Sequence, residues 1–297
     1  MTLSRLQFDC LVTLQEAKGP VTQRELARIS GWSLGSVNRV MGDFAQRAWL
    51  EEGRISPLGL EALEPYRVKR AIFLAAGFGP RMLPITLNTP KPLIRVQGVR
   101  IIDTLLDAVV GAGIEEIILV RGYLAEQFDQ LLYKYPGIRF IDNPLYNETN
   151  NISSLLYARD YLPSSYVLEA DLYLRNPGLI RPYQYVSHYL GVPVQRTDDW
   201  CLISQDKRIA DFRLGGENCH HMFGISYWTP TDGKRLASRL EKAFDLPGGR
   251  ERFWDTVALN TFSQDFRIEI RECSFQDLVE LDTFRELRAL DPAYDPA

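Results

Sequence analysis

Small residues and cations are concentrated in one stretch of the chain, Leu74-Ala75-Ala76-Gly77-Phe78-Gly79-Pro80-Arg81-Met82-Leu83-Pro84, followed by Asn88-Thr89-Pro90-Lys91-Pro92-Leu93. Ala75, Ala76, Gly77 and Gly79 leave backbone N–H groups bare enough to approach a triphosphate, and Arg81 and Lys91 can neutralise its charge. Such a loop cradles phosphates. Two rival phosphate motifs are excluded by its surroundings. No GK[ST] completes a P-loop, and Met82 stands where a dinucleotide fingerprint needs its third glycine. The next apolar run also ends in Arg121-Gly122-Tyr123, where a dinucleotide domain would place an acid for the ribose. Pro80 removes one backbone donor from the loop. Downstream, Asp171 follows the apolar Tyr166-Val167-Leu168, so its carboxylate is expected at the carboxyl end of a buried strand, where Mg²⁺ finds carboxylates and phosphate oxygens. His220-His221 lack a third metal ligand at suitable spacing, and neighbours on a strand face opposite sides, so they read as structural.

The elements that must position these groups change character near Arg70. Beyond it, apolar runs at residues 71–75, 116–121 and 138–141 alternate with helical stretches at 101–110 and 124–133. Repeated βα units imply a Rossmann-like, mostly parallel sheet with helices on both faces and ligands at the carboxyl ends of its strands. Before Arg70 the pattern is mainly helical. Thr22 with Glu25 forms a capping box, Gly31 ends that helix, and Ser33 opens the next, with Val37, Val40, Met41 and Phe44 on one face. A hairpin follows at residues 49–56. The segment resembles the winged helix-turn-helix domains of bacterial regulators, which implies duplex DNA as a partner through Ser36, Asn38 and Arg39, or else a docking role. The acidic pair Glu51-Glu52 near the wing opposes DNA. The expected organisation is a winged helix-turn-helix domain at 1–66, a linker at 67–69 and an α/β domain at 70–297.

Composition bounds the rest. With 297 residues, 45% of them apolar and 24% charged, the chain has the material for two domains with packed cores. No signal h-region or membrane-length apolar run is present, so a cytoplasmic protein with no membrane partner is expected. Four cysteines without CxxC spacing are expected as free, mostly buried thiols. The net charge of −4 divides into +2 over residues 1–70 and −6 over the rest, which argues against nucleic acid as the partner of the larger domain. A second copy of the chain is an allowed partner. The final Asp-Pro-Ala is expected to fray.

The loop closely resembles the signature LAAGxGxRLxPxTxxxPKPL of the nucleotidyltransferase superfamily, which couples a nucleoside triphosphate to a phosphorylated sugar or alcohol. Ala75, Ala76, Gly77, Gly79, Arg81, Pro84, Thr86, Pro90, Lys91, Pro92 and Leu93 match it. Further along, Tyr146-Asn147, Asn150-Asn151-Ile152-Ser153-Ser154, Glu169-Ala170-Asp171, Asp199-Trp200, Tyr227-Trp228, Phe253-Trp254-Asp255 and Glu280-Leu281-Asp282 resemble, in this order, the bacterial CTP:phosphocholine cytidylyltransferases. The resemblance implies a GT-A-like fold and Mg²⁺ held by Asp171 and Asp282. It also implies catalytic Arg81 and Lys91, and a nucleotide site of Ala75, Ala76, Gly77, Gly79, Tyr123 and Asn150. For the acceptor, Trp200, Tyr227, Trp228, Trp254 and Asp255 are candidates, with a quaternary ammonium caged by Trp200, Trp228 and Trp254. The implied reaction joins CTP and phosphocholine into CDP-choline and pyrophosphate. Phosphoethanolamine, 2-aminoethylphosphonate or a sugar phosphate are rival acceptors, and a primary amine would prefer carboxylates to an aromatic box. A DNA-binding regulator with a nucleotide-sensing domain is the rival from another class.

Overall fold

In the computed structural model, which describes residues 2–17 and 19–294, local sequence signals translate directly into helix ends. The N-terminal part contains α1 (Arg5–Glu16), α2 (Gln23–Ser30) and α3 (Leu34–Gln46). A minimal hairpin, β1 (Leu50–Glu51) with β2 (Arg54–Ile55), and α4 (Pro57–Leu63) follow. The Thr22 hydroxyl accepts from the Glu25 N–H at 3.2 Å while the Glu25 carboxylate accepts from the Thr22 N–H at 3.0 Å, satisfying two orphan donors reciprocally. Gly31 ends α2 at φ 73°, a left-handed conformation that glycine adopts without Cβ strain. The apolar faces of the helices meet in a core of Phe8, Leu11, Leu26, Val37, Phe44 and Leu63. Tyr185, from far along the chain, also packs there, stacked on Tyr66 at 5.4 Å.

The chain divides into two compact units, Met1–Arg67 with Tyr183–Tyr185, and Val68–Pro182 with Val186–Ala297. Of the residues 67–69 expected as a linker, Arg67 belongs to the first unit and Val68 and Lys69 to the second. Val68 is buried in the core of the second unit, and the Val68 and Lys69 N–H groups donate to the carbonyls of Pro182 and Ser164. The terminal Asp-Pro-Ala lies outside the described residues.

The second unit is built on a seven-stranded sheet. In chain order it contributes β3 (Arg70–Ala75), the short β4 (Arg95–Val96) and β5 (Val99–Arg100), α5 (Ile101–Gly111), β6 (Glu116–Arg121) and β7 (Ile138–Asp142). There follow α6 (Ile152–Tyr157), β8 (Ser165–Glu169), β9 (Leu172–Leu174), β10 (His188–Gln205) and β11 (Arg208–Trp228). The remainder is α7 (Pro230–Asp245), β12 (Glu269–Glu272), β13 (Leu278–Glu280) and α8 (Phe284–Leu290). The sheet order is β10-β12-β11-β8-β3-β6-β7, with β8, β3, β6 and β7 mutually parallel and β11 antiparallel to β8. This is an α/β architecture with a mostly parallel central sheet. The stretch at Ala125–Tyr133 is a run of 3₁₀ turns. One hydrophobic layer lies on each sheet face, Phe73, Leu119 and Leu168 on one and Ile72, Ile118 and Val167 on the other, as the two-residue period of buried strands requires. All four cysteines are free.

The hairpin of β10 and β11 is longer than its composition foretells. Its register shifts near Cys201, which pairs with both Arg213 and His221, so the ribbon folds back upon itself. That fold-back brings Asp199 beside His221.

Candidate active site

The phosphate loop leaves the carboxyl end of β3 and is braced from three directions. Gly79 sits at φ 64°, and a Cβ there would stand 3.3 Å from Lys91 Cβ, so the position requires glycine on both backbone and packing grounds. The Thr86 hydroxyl donates to the Gly79 carbonyl at 3.0 Å, and the Tyr123 N–H donates to the Ala76 carbonyl at 3.0 Å. Tyr123 does not present its hydroxyl to a base. That group is held by the Thr86 and Leu87 carbonyls at 2.9 and 3.0 Å, and its ring packs edge-on against Phe78. Tyr123 is therefore a brace of the loop.

The loop forms one side of a cleft of about 210 Å³ lined by Ala75, Ala76, Gly77, Gly79, Arg81, Lys91, Asn151, Ser154, Glu169, Asp171 and Asp282. Asn150 is displaced from it by one residue. Its amide donates to the Glu251 carbonyl at 3.2 Å and its side-chain oxygen accepts from the Asn151 N–H at 2.7 Å, whereas Asn151 lines the cleft and donates to Glu169 Oε1 at 3.2 Å.

Lys91 is the electrostatic centre of the cleft. Its Nζ donates to Asp171 Oδ2 at 2.7 Å and to Asp282 Oδ1 at 2.8 Å. Burial opposes its charge, but Asp171 and Asp282 outweigh that and hold its pKa above the ordinary lysine value. Arg81, two-thirds exposed, reaches Asp282 at 2.9 Å and has reach to spare toward a ligand. Asp282 does not cap α8, because Thr283 does, through a full capping box with Glu286. Asp171 and Asp282, 111 positions apart in sequence, thus converge on one cation.

Two further carboxylates crowd the same wall. Antiparallel pairing of β13 with β9 sets Glu280 opposite Leu172, next to Asp171. Single ligating atoms of Glu169, Asp171 and Glu280 fall within 4.8 Å of one another. Burial, then the charges of Asp171, Asp255 and Glu280, push Glu169 well above the ordinary carboxylate range. Burial, Asp171 and Asp282 do the same for Glu280. Gly224 makes room, since a Cβ there would lie 2.6 Å from Glu169 Cγ. No spacing rule in the sequence singles out Glu169, Glu280, Asn151 or Ser154; strand pairing sets Glu280 beside Asp171, and the start of α6 adds Asn151 and Ser154.

The aromatic cage expected from Trp200, Trp228 and Trp254 does not form. Trp228 and Trp254 are 0% and 1% exposed, and they pack with Tyr189 in the core under β11. Tyr227 is buried on the opposite sheet face, edge-on to Tyr166. Trp200 alone is only partly buried, stacked on Phe212 at 4.7 Å and edge-on to the exposed Phe253. Apolar area explains the difference, because a large indole gains most by complete burial, whether on the β11 strand (Trp228) or in the turn after Phe253 (Trp254).

Asp255 is likewise interior, accepting from the Tyr189 hydroxyl at 2.9 Å, and burial pushes its pKa from 3.8 to about 7. Between those values the folded chain binds more protons than the unfolded one, so stability falls as pH rises through that window, by at most about 1.4 kcal/mol per pH unit. Asp255→Asn is expected to make this slope shallower by the share Asp255 contributes, leaving that of Glu169 and Glu280. Urea midpoints of both proteins from pH 4.5 to 7.5 check it, and parallel curves would contradict it.

A phosphate-cradling loop at a strand's carboxyl end, facing a lysine clamped by two aspartates, defines a nucleotidyltransferase. The model of the MobA-like NTP transferase domain matches residues 71–186. The 2-aminoethylphosphonate cytidylyltransferase of Lancefieldella rimae is 39% identical over 228 residues, 75% of this chain and 92% of that one. The choline-phosphate cytidylyltransferase of Streptococcus pneumoniae is 31% identical over 224 residues, 75% of this chain and 96% of that one. The solved CTP:phosphocholine cytidylyltransferase of Streptococcus pneumoniae superposes with a TM-score of 0.71, covering 77% of this chain and 100% of that one at 31% identity. The chain belongs to the cytidylyltransferases of the nucleotidyltransferase superfamily. Among the described residues, no helix is long and apolar enough to cross a membrane.

Proposed function

We propose that the chain transfers the cytidylyl group of CTP to 2-aminoethylphosphonate, releasing pyrophosphate. The observation that carries this reading is the carboxylate wall beside Asp171, standing where an aromatic box for choline was expected. A primary ammonium has three N–H donors and is matched by oxygen acceptors, whereas a trimethylammonium has none and is matched by ring faces. The relative from Lancefieldella rimae supports the same acceptor. Phosphocholine is the second reading, favoured by the exposed ring of Phe253 against Trp200.

The residues fit a magnesium ion. Asp171 Oδ1 is buried with no hydrogen-bond partner, and Asp171 and Asp282 together offer the hard oxygen donors Mg²⁺ prefers. When bound, the ion neutralises triphosphate charge. In the reaction, a phosphonate oxygen of the acceptor attacks the α-phosphorus of CTP in line as the bond to the β-phosphate bridging oxygen breaks, and pyrophosphate departs with that electron pair. The nucleophile is already anionic, so no general base is needed. Arg81 and Lys91 stabilise the charge spread over the transferring and leaving phosphates, and the Gly77–Gly79 backbone orients them. Incubation with CTP, Mg²⁺ and 2-aminoethylphosphonate is expected to produce coupled ³¹P resonances of a phosphonate–phosphate anhydride. A spectrum holding only the starting phosphorus species would defeat the reading.

For the N-terminal unit we propose contact with duplex DNA through α3, on which Asn38 and Arg39 are exposed. Fluorescence anisotropy on labelled duplex should show salt-dependent binding that weakens in Arg39→Ala. No binding at low salt would leave the unit a docking role.

A further inference from the structure

Arg81, Lys91, Asp171 and Asp282 are carried by four separate stretches of chain, and each stretch plugs a nearby residue into one small hydrophobic cluster apart from the two layers on the sheet. That cluster buries Met82, Ile94, Val96, Ile101, Leu281 and Leu287, with Tyr173 and Phe284 packed against it. Met82 follows Arg81, and Ile94 closes the turn that begins at Lys91, its N–H donating to the Lys91 carbonyl at 3.2 Å. Tyr173 lies two residues past Asp171, and Leu281 directly precedes Asp282. We propose that α8 is the positioning element of the Asp171–Lys91–Asp282 clamp, with Leu287 completing this cluster and Glu286 fixing the backbone of Asp282. The inference rests on the clamp's part in cytidylyl transfer and not on which acceptor is used.

The contacts of α8 support the assignment at both of its ends. At its start, the exposed Glu286 carboxylate accepts from the N–H groups of Asp282 and Thr283, each at 2.8 Å, so the peptide that carries Asp282 is held by the first turn of the helix. One residue earlier, the Leu281 N–H donates to the Asp171 carbonyl at 3.4 Å, which ties the two aspartates together through the backbone. Phe284, Leu287 and Leu290 recur at three-residue spacing and so share one face of α8, with Leu287 fully buried. Past its end, the chain is fastened to the β4–β5 hairpin, which follows Lys91. The Gln97 N–H donates to Asp291 Oδ2 at 2.6 Å, and the Tyr294 hydroxyl donates to the Arg95 carbonyl at 2.7 Å. The segment therefore spans from the carrier of Asp282 to the carrier of Lys91.

Neither Glu286 nor Leu287 lines the cleft, so their effect is geometric. Emptying the Leu287 site leaves a void into which Leu281 and Met82 relax, and a displacement of about 1 Å at reacting groups costs up to about 100-fold in rate.

The test compares Leu287→Ala and Glu286→Ala with Leu162→Ala, using CTP and the faster of 2-aminoethylphosphonate and phosphocholine. Leu162 is equally buried but precedes the amino end of β8, opposite the cleft. Leu287→Ala is expected to lower kcat about 10- to 100-fold and Glu286→Ala about 10-fold, with the KM for CTP within about 2-fold of wild type, the split left when only transition-state geometry suffers. Leu162→Ala is expected to lose a similar amount of urea midpoint to Leu287→Ala yet keep its kcat. Leu287→Met preserves volume and Glu286→Gln preserves the capping acceptor, so both are expected to return kcat to within about 3-fold. Acylation of Lys91 by a water-soluble amine-reactive ester, followed by peptide mass spectrometry, reads the clamp without turnover. It is expected to run about 10-fold faster in Leu287→Ala and Glu286→Ala, as one unit of lysine pKa would give, and at the wild-type rate in Leu162→Ala. Unchanged kcat or unchanged acylation in Glu286→Ala, whose exposed side chain is removed without opening the core, would overturn the inference. So would a kcat loss in Leu162→Ala equal to that in Leu287→Ala, or no recovery in the two conservative variants. A wild type that releases no pyrophosphate with either acceptor overturns the acceptor reading instead, and the acylation rates still decide the role of α8.

Discussion

Lys91→Met is expected to lower kcat about 10³-fold, since removing one preorganised charge from a transition state commonly forfeits 10²- to 10³-fold and Lys91 also unites the two aspartates. Methionine keeps the stem that packs on Gly79 while deleting the ammonium that donates to Asp171 and Asp282 at 2.7 and 2.8 Å. The two carboxylates would then face each other, and the neighbouring Glu169 and Glu280, without their shared cation. Some loss of stability accompanies this, because uncovering paired carboxylates in a half-buried wall is unfavourable. Single-turnover rates at saturating CTP, with circular dichroism to monitor the fold, separate the effects. A rate within ten-fold of wild type in a folded variant would remove Lys91 from catalysis.

Asp171→Asn is expected to have a comparable effect by a different route. Asparagine preserves shape and can still accept from Lys91, but it removes the charge of the one carboxylate oxygen here that is buried and unpartnered, Asp171 Oδ1. A neutral amide is a poor ligand for a hard divalent ion. The rate should fall about 10³-fold at fixed Mg²⁺, and the Mg²⁺ concentration giving half-maximal rate should rise. Asp282→Asn should behave alike, because its carboxylate meets the same lysine and Arg81. An unchanged Mg²⁺ dependence in either variant would place the ion elsewhere.

How far these residues could be read in advance depended on how local their signals are. The capping box of Thr22 and Glu25, the αL glycine at Gly31 and the loop glycines are fixed within a few positions, and each stands where its spacing puts it. Lys91 and Asp171 were legible because a dense motif and a buried strand end mark them. Asp282 required the resemblance. Glu169, Asp199 and Glu280 stood within the resembling segments, but their convergence with one another and with His221 was not legible, since it depends on the β9–β13 register and on the fold-back of the β10–β11 hairpin, which no periodicity records. His221 shows the limit plainly: its partners lie 22 residues before it and 59 after it in the chain, so a search for ligand spacing passes over them. Trp228 and Trp254 failed in the opposite way. Their residue type pointed to a cation, but apolar area placed both in the core, Trp228 from the end of β11 and Trp254 from the turn that follows Phe253.

The most direct test of the central claim is Mg²⁺-dependent pyrophosphate release by the purified protein, with CTP or UTP crossed against 2-aminoethylphosphonate, phosphocholine, phosphoethanolamine and glucose 1-phosphate. The carboxylate wall predicts that CTP with the primary amines exceeds CTP with phosphocholine by at least about ten-fold in kcat/KM, and the proposed acceptor that 2-aminoethylphosphonate is the highest of them. A preference for phosphocholine, or silence across every combination from folded protein, would contradict it.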